Sequence, residues 1–280
     1  MAALPFSRFG ERWDALYSSA AIAFGGLETV SLTTAHLDTI ALNTTITSDQ
    51  LQGRTMSNST ERVGFIGAGM MGSGMCRNLM SAGYPVSVIA NRNRGPIDAL
   101  VSEGANEASS LAGLADSADV MMICVNSAET VSNLIAELKP HLRSGMLVID
   151  ITTSLPDVTR RLAAELEGHG VGLVDAPVVG GPAQSVAGKL GTFLGGKDGD
   201  VRRAEPIVGT YSSDVAHFGG PGQGHTVKLL NNFLTVGLRQ LVVQSIQAAR
   251  RNDVDLEKFL RLAQQGAAGS RILEQFGQCA

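Results

Sequence analysis

The sequence predicts an α/β fold, in which a doubly wound domain with a parallel sheet is followed by a helical region entered through a long helix. Short apolar runs alternate with helical stretches from residue 63 onward, which is the pattern of βαβ units. After residue 222 this alternation stops, and apolar residues recur at helical spacing over a long segment. Strands joined by helices run parallel and are covered on both faces, so the sheet is expected to be buried.

The elements follow one another in a regular order. An apolar run at Val63–Ile66 predicts the first strand, and the residues from Met70 to Ala82 have the periodicity of a helix. Further buried strands are predicted at 84–90, 119–125 and 145–151, and helices at 128–138 and 157–167. The segment 225–251 predicts a connector helix of roughly 40 Å that leads into an all-α domain.

Composition narrows the class of protein. Of the 280 residues 44% are apolar and 17% charged, which is ordinary for a globular protein with a sizeable core. A net charge of -4 argues against nucleic acid or an anionic membrane surface as a partner, and favours a small-molecule substrate. The three scattered cysteines indicate neither disulfides nor a metal site, so a reducing, cytoplasmic setting is expected. No apolar run approaches the roughly 20 residues that span a bilayer.

Residues 1–55 differ in character from the rest of the chain. They are rich in Thr and Ser, with weak alternation and no clear helix caps, so we expect a poorly ordered leader that does not belong to the native protein. Acidic residues such as Glu11, Asp14 and Glu28 interrupt it, which argues against a mitochondrial transit peptide, and it contains no continuous apolar region of a secretion signal. Met56 is the expected natural beginning.

A glycine motif lies between the first strand and the first helix. Gly67-Ala68-Gly69-Met70-Met71-Gly72 has the spacing GxGxxG. The first glycine permits a tight turn, the second lets the backbone approach a pyrophosphate, and the third lets helix and strand pack closely. The motif predicts a Rossmann-type, dinucleotide-binding domain at 56–222, and the helical spacing after residue 222 predicts a partial helical domain at 223–280. The alternative is a plain glycine-rich turn.

The end of the second strand bears on the choice of cofactor. An enzyme that uses NAD usually has an acidic residue there, whereas this chain has Asn91-Arg92-Asn93-Arg94. An arginine can pair with a 2′-phosphate through two hydrogen bonds, so NADP is favoured over NAD. The alternative is that these arginines belong to a solvated turn.

Four signals occur in order along the chain: the GxGxxG turn, Asp150-Ile151-Thr152-Thr153, "DAPVVGG" at 175–181 and "GQGHTVKLLNN" at 222–232. With them, residues 62 to about 275 resemble the β-hydroxyacid dehydrogenase family, which includes 3-hydroxyisobutyrate dehydrogenase and the glyoxylate and semialdehyde reductases. The resemblance implies an NADP-dependent oxidoreductase that interconverts a small hydroxy acid and its aldehyde or keto acid. It also implies a homodimer or homotetramer when the full C-terminal domain is present.

Two residues of the last signal match the family's catalytic positions. Lys228 matches the catalytic lysine, which serves as general base for alcohol oxidation and as general acid in reverse. Asn232, one helical turn later, is expected to orient the substrate oxygen or the ammonium. Desolvation, the positive end of the helix and a nearby nicotinamide cation would lower the lysine pKa. The alternative for Lys228 is an exposed charge on a long helix.

The resemblance extends to residues around the cleft. Val125, Asn126 and Thr153 would line the cofactor, together with the glycine turn and residues 91–93. The residues expected to contact the substrate, besides Lys228, are Thr152, Val179, Gly180 and Gly181. Asn126 and Ser127, like Thr152 and Thr153, could instead be loop caps. His225 is given no role, because no carboxylate at a recognisable spacing orients it.

The segment 175–188, which the resemblance assigns to substrate binding and which is called the substrate loop below, departs from the family pattern. Val179 stands where the family has Ser, and Gln184-Ser185 stand where it has Gly-Ala. The backbone N–H groups of Gly180 and Gly181 can receive a carboxylate without a side chain, so an anionic substrate remains compatible with the loop. The loss of the hydroxyl favours a less polar or differently shaped substrate.

Two other functions stay open at this point. One is an imine reductase, although such relatives usually replace the lysine; the other is a catalytically weak or inactive NADP-binding module that acts as sensor or scaffold. Family members continue past the segment that resembles 264–276, so the chain is expected to bind cofactor and turn over poorly. A compact variant in which residues 1–55 cover the gap is the alternative to such truncation.

Overall fold

The computed structural model describes residues 61–91 and 93–277. All described residues lie in one compact unit, Asn58–Ala280. The predicted leader at 1–55, Arg92 with its predicted contact to the cofactor, and Cys279 lie outside the described residues.

Six parallel strands form the main sheet. They are β1 (Val63–Ile66), β2 (Val86–Ile89), β3 (Asn106–Ala108), β4 (Val120–Ile123), β5 (Leu147–Asp150) and β6 (Gly172–Asp175). Their order is β3-β2-β1-β4-β5-β6, which is the doubly wound arrangement. Every residue of β1, β4 and β5 is buried, as expected for central strands with helices on both faces. The predicted fold class is confirmed.

Five helices connect the successive strands of this sheet and pack on it. They are α1 (Gly72–Ser81), α2 (Gly95–Ser102), α3 (Leu111–Asp116), α4 (Ala128–Leu138) and α5 (Pro156–Glu167). Because successive side chains of a strand point to opposite faces, the sheet separates two apolar cores. In β4, Met122 belongs to the core that contains Phe65 and Met75, whereas Met121 belongs to the core that contains Leu138.

A second, smaller sheet lies after the first, and the sequence pattern does not predict it. It consists of β7 (Val178–Val179), β8 (Leu190–Leu194) and β9 (Ser212–His217), in the order β7-β8-β9. The helices α6 (Pro182–Val186) and α7 (Asp198–Val208) connect these strands. A buried hydrogen bond of 2.6 Å between the hydroxyls of Thr192 and Ser212 joins β8 to β9.

The helical region begins where the sequence pattern changes. It consists of α8 (Gln223–Arg251), α9 (Leu256–Gln265) and α10 (Arg271–Gly277). The 29 residues of α8 correspond to about 43 Å at ~1.5 Å per residue. Several apolar side chains along α8 are exposed, including Leu230, Leu234 and Val236. No helix within the described ranges is both long and apolar enough to cross a membrane.

Candidate active site

The carboxyl ends of four strands lie level with one another. Ile66 pairs with Ile123, Ile123 with Asp150, and Asp150 with Asp175 in the parallel register. The loops that follow β1, β4, β5 and β6 therefore leave the sheet at one edge. In doubly wound folds this edge is where ligands bind, at the point where the strand order reverses. Here the reversal lies between β1 and β4.

The three motif glycines have distinct surroundings. Gly67 has a φ of 97°, and a Cβ there would lie 2.0 Å from the carbonyl oxygen of Cys124. A Cβ on Gly72 would lie 2.3 Å from the carbonyl oxygen of Gly67. Around Gly69, by contrast, no heavy atom comes within 4 Å of the Cβ position. The first and third glycines thus permit protein packing, whereas the second leaves an open face for a ligand.

The start of α1 suits an anion. No side chain caps this helix and its first turn contains no acidic residue, so the positive end of its dipole stays available for phosphate oxygens, although the N–H of Ser73 already donates to the carbonyl of Gly69. Met70, which precedes the helix, is 82% exposed. Together with the open face at Gly69, these features fit the pyrophosphate of a dinucleotide.

A cleft of about 430 Å³ lies beside the glycine turn. Gly67, Ala68 and Gly69 form one side, and Asn91, Asn93 and Val125 also line it, as expected for cofactor-binding residues. The remaining wall is mainly apolar, with Ile89, Pro96, Ile97 and Leu134 among its residues. Such a cleft suits an adenine ring and ribose that lie next to the pyrophosphate.

Arg94, in the turn between β2 and α2, is already paired. Its guanidinium lies 3.0 Å from a carboxylate oxygen of Asp98 and 3.0 Å from one of Glu107. Arg94 therefore fits the solvated, ion-paired turn that was the alternative in the sequence. Arg92, on which the NADP preference depends, lies outside the described residues.

The loops after β4 and β5 are joined by a hydrogen bond. The backbone N–H of Val125 donates to the Thr152 hydroxyl at 3.1 Å, and the N–H of Thr152 donates to Asp150 at 3.0 Å. Thr152 is only 2% exposed, so the expectation that it faces the cleft as a substrate contact is wrong. Its side chain supports the loop that carries Val125, and the exposed Thr153 is the one available to a ligand.

Ser127 caps a helix, which was the alternative to a role in lining the cofactor. Its hydroxyl caps α4 by accepting from the N–H of Thr130 at 3.1 Å. Asn126 is exposed, and its side-chain oxygen accepts from the Thr130 hydroxyl at 3.3 Å. Of this pair, Asn126 is the residue that remains accessible to a cofactor.

The substrate loop has lost one of its two expected backbone donors. The N–H of Gly181 donates to Oε1 of Gln184 at 3.0 Å, so it is occupied rather than free for a carboxylate. Gly180 is exposed and has a φ of 117°, a conformation that favours glycine. Val179 is half-buried in β7. Of the two glycines, Gly180 is the one that keeps the predicted role.

The same loop is seated on α1. The buried hydroxyl of Ser185 donates to the carbonyl of Met71 at 2.7 Å. The side-chain amide of Asn78 donates to the carbonyls of Gly74 and Ser185, at 2.8 Å in each case. Ser185, the second residue of the pair that departs from the family pattern, therefore joins the substrate loop to the dinucleotide turn.

The helix that carries Lys228 begins against the end of β6. Both carboxylate oxygens of the buried Asp175 accept from its first turn, one from the N–H of Gly222 and one from that of His225, at 2.7 Å each. Burial raises the pKa of Asp175, and His225 and the two N–H donors act in the opposite direction.

His225 is fully buried, which the sequence did not reveal. Its Nδ1 lies 2.7 Å from the Thr159 hydroxyl, and its Nε2 lies 2.7 Å from the carbonyl oxygen of Thr152. Two carboxylates are near the ring, Asp175 at 3.7 Å and Asp150 at 4.0 Å. Both are distant from His225 in the chain, which is why no recognisable spacing linked them to it, and the ring itself is hydrogen-bonded to Thr159 and Thr152. Acidic residues at the ends of two buried strands were the signal that could have indicated this cluster.

Asp150 is the third member of this cluster. It is 2% exposed, and burial raises its pKa to about 6. His225 and the N–H of Thr152 oppose this effect. Buried polar groups are costly unless they are hydrogen-bonded, and here neighbouring groups provide the partners: the N–H of Thr152 for Asp150, two backbone N–H groups for Asp175, and Thr159 and Thr152 for the His225 ring.

Lys228 lies one turn beyond His225 on α8. It is half-buried, and burial lowers its pKa from the usual value for lysine. Within the described ranges its side chain makes no hydrogen bond or ion pair. Asn232, at i+4, is also half-buried and lies on the same face of the helix. A desolvated lysine without a counter-ion is suited to proton exchange closer to neutral pH than a free one.

Comparison with known proteins agrees with this geometry. Residues 62–219, more than half of the chain, match the family model described as the NAD binding domain of 6-phosphogluconate dehydrogenase. "Probable 3-hydroxyisobutyrate dehydrogenase-like 1, mitochondrial" of Arabidopsis thaliana is 31% identical over 240 residues, which are 84% of this chain and 71% of that protein. The NAD-dependent L-serine dehydrogenase of Pseudomonas aeruginosa is 28% identical over 219 residues, 77% of this chain and 73% of that one.

A solved structure supports the fold. The Mycobacterium tuberculosis 3-hydroxyisobutyrate dehydrogenase, in a structure with L-serine, superposes with a TM-score of 0.72 at 23% identity. The match covers 76% of this chain and 73% of that one. Together with the family model and the relative at 31% identity, the four ordered motifs identify the group to which the protein belongs. The chain is a member of the β-hydroxyacid dehydrogenase family, an NAD(P)-binding dehydrogenase that acts on a CH–OH group.

Proposed function

We propose that this protein is an NADP-dependent oxidoreductase that interconverts a small hydroxy acid and its aldehyde or keto acid, with Lys228 as the proton-transfer group. The observation that carries the proposal is the environment of Lys228. It is half-buried, lacks an ion-pair partner within the described ranges, and lies in the second turn of a helix that begins at the dinucleotide edge of the sheet.

The residues support a simple division of the chemistry. When bound, the nicotinamide supplies the hydride acceptor for oxidation and the hydride donor for reduction. In oxidation, the neutral amine of Lys228 accepts the hydroxyl proton as the C–H hydrogen leaves as hydride and the carbonyl forms. In reduction the ammonium returns that proton to the carbonyl oxygen. Asn232 orients the reacting oxygen or the lysine from one turn further along α8.

The named relatives suggest a substrate class. Both 3-hydroxyisobutyrate and L-serine carry a primary hydroxyl on the carbon next to the one that bears the carboxylate. We infer that the substrate shares this 3-hydroxy acid arrangement. The half-buried Val179 favours a substituent that is apolar, and the backbone N–H of the exposed Gly180 is proposed to receive the carboxylate.

A substrate panel tests the proposal. Purified protein is assayed with 3-hydroxyisobutyrate, L-serine, glyoxylate, succinic semialdehyde and tartronate semialdehyde, each with both cofactors. Oxidation or reduction of at least one carboxylate-bearing substrate is expected. Turnover confined to a cyclic imine would support an imine reductase instead. Tight cofactor binding without any turnover would support a binding module used as sensor or scaffold.

The cofactor preference is a separate prediction. NADPH is expected to bind at least about 10-fold more tightly than NADH, because a two-hydrogen-bond contact to a 2′-phosphate contributes about 1.5–3 kcal/mol. Arg92→Asp should reverse the preference. Arg94→Ala is the matched control: its guanidinium is engaged by Asp98 and Glu107, so a smaller change is expected. Fluorescence titration of both cofactors measures the dissociation constants, and equal wild-type affinities would contradict the prediction.

We also propose a cytoplasmic location and a small-molecule substrate, without a nucleic-acid or membrane partner. The net charge of -4 supports a small-molecule substrate, and the three scattered cysteines support a reducing, cytoplasmic setting. The Arabidopsis relative is named mitochondrial, which gives the competing location. A homodimer or homotetramer stays a prediction.

A further inference from the structure

The first turn of α8 is held by a side chain from another element. Helix N-termini leave backbone N–H groups without partners, and a residue within the helix or just before it usually satisfies them. In α8 no such side-chain cap is present. The carboxylate of Asp175, 47 positions before Gly222, takes that place with both of its oxygens.

The approach of α8 to the sheet requires glycine at several positions. A Cβ on Gly224 would lie 2.5 Å from the carbonyl oxygen of Phe193, and one on Gly195 would lie 2.6 Å from Asp175 Oδ1. Gly222 has a φ of 87°, and a Cβ there would lie 2.9 Å from the carbonyl oxygen of Pro156. The helix end thus lies in direct backbone contact with β8 and with the start of α5, without side chains between them.

His225 fixes the same turn in a second direction. Its backbone N–H is bound to Asp175, while its ring reaches Thr152 in the loop after β5 and Thr159 in α5. Since Thr152 also accepts from the N–H of Val125 in the cofactor cleft, a chain of hydrogen bonds joins the turn of α8 to that cleft. A helix held at its end by two buried side chains cannot rotate or slide freely.

We propose that Asp175 and His225 are positioning residues, which set the place of the Lys228 amine relative to the cofactor cleft. Lys228 follows His225 by three residues, so a shift or rotation of the first turn carries the lysine with it. A displacement of about 1 Å is enough to lower a rate by about 10²-fold. This inference rests on the proposed role of Lys228 in proton transfer.

Asp175→Asn tests the positioning role of Asp175. The amide keeps the shape but places an NH₂ group against one of the two backbone donors, so one cap is lost. The expected result is a fall in kcat of about 10²-fold, with KM and NADPH affinity changed by less than about threefold. Hydrogen exchange of the amides at 222–228 should accelerate at least about 10-fold.

Asp119→Asn is the matched control. Asp119 also accepts from a backbone N–H, that of Arg62 at 3.0 Å, and pairs with the Arg62 guanidinium, but it lies at the opposite end of the sheet before β4. This variant should lose stability without changing kcat or the hydrogen exchange of the amides at 222–228. If Asp175→Asn and Asp119→Asn reduce kcat equally, the loss reflects stability and the proposal is overturned.

Variants of His225 provide a second test, which does not depend on whether Asp175→Asn folds. In His225→Gln the side-chain amide can still donate to the Thr152 carbonyl, whereas His225→Ala removes both ring contacts. We expect His225→Ala to lower kcat by about 10²-fold and His225→Gln to recover at least about 10-fold of that loss. Equal kcat values for the two variants would contradict a positioning role.

A measurement that needs no turnover separates the two proposals. The rate at which the Lys228 amine is labelled by an acylating reagent, read by mass spectrometry, should rise in Asp175→Asn and His225→Ala because the lysine leaves its half-buried place. An unchanged labelling rate and unchanged exchange at 222–228 would refute the positioning role. Changed labelling with a Lys228→Ala variant that retains full activity would instead refute the proton-transfer role and leave the positioning of Lys228 intact.

Discussion

Lys228→Ala is expected to lower kcat by about 10²–10⁴-fold while the NADPH dissociation constant changes by less than about twofold. The dinucleotide turn and the 430 Å³ cleft are built from residues before 135, so removal of the lysine leaves them unchanged. Lys228→Arg should be as inactive as Lys228→Ala, because a guanidinium keeps the charge but does not give up its proton near neutral pH. Steady-state kinetics and cofactor titration on the same preparations measure both quantities.

The pH profile of the wild-type protein provides a second test of the role of Lys228. Only the neutral amine accepts a proton, so the oxidation rate should rise with pH through the Lys228 pKa and the reduction rate should fall. Because burial lowers that pKa, the midpoint of the change in rate should lie at a pH below ~10.4, the pKa of a free lysine. Lys258→Ala, at a lysine paired with Asp255 on α9, should leave rate and profile unchanged. An equal loss of turnover and cofactor binding in Lys228→Ala would indicate a structural lysine.

Alanine at Gly69 and at Gly67 should abolish cofactor binding for different reasons. At Gly69 the protein has room for a methyl group, so Gly69→Ala should keep the wild-type melting temperature and lose at least about 10²-fold in NADPH affinity as the methyl meets the pyrophosphate. At Gly67 the φ of 97° and the 2.0 Å approach to the Cys124 carbonyl forbid a Cβ. Gly67→Ala should therefore also lose several °C in melting temperature.

Differential scanning fluorimetry with and without NADPH checks both variants. Gly237→Ala, in the interior of α8 with no heavy atom near its Cβ position, is a suitable control and should be neutral or slightly stabilising. A Gly69→Ala protein that binds NADPH as tightly as the wild type would show that the open face at Gly69 does not receive the cofactor.

Elements with strong apolar periodicity were predictable to within a residue or two. The strand at Val63–Ile66 and the helix at Ala128–Leu138 lie where the pattern placed them, because both bury a continuous apolar face. Weakly buried elements were missed. Strand β3 lies at the edge of the sheet with its first two residues exposed, and β9 is exposed over most of its length, so neither has the apolar run of a central strand.

The site was only partly predictable for a related reason. Contiguous motifs, such as the glycine turn and the segment with Lys228, can be recognised in the sequence because their residues are close together in the chain. The bonds from Asp175 to the start of α8 and from His225 to Thr152 join residues 50 and 73 positions apart, and no periodicity encodes them. The burial of Thr152 and the occupation of the Gly181 N–H by Gln184 likewise depend on packing that only the folded chain reveals.

The seat of the substrate loop on α1 has a thermodynamic consequence. Ser185 bonds to Met71 inside the glycine motif, and a Cβ on Gly74 would lie 2.6 Å from the Ser185 hydroxyl, so there is little slack between the two elements. Any strain that a substrate imposes on the loop is shared with the dinucleotide turn. The two ligands should therefore be linked by a coupling free energy, and linkage requires that each changes the affinity of the other by the same factor. Ser185→Ala would loosen that link, and its signature would be a smaller mutual effect, with each ligand still bound when present alone.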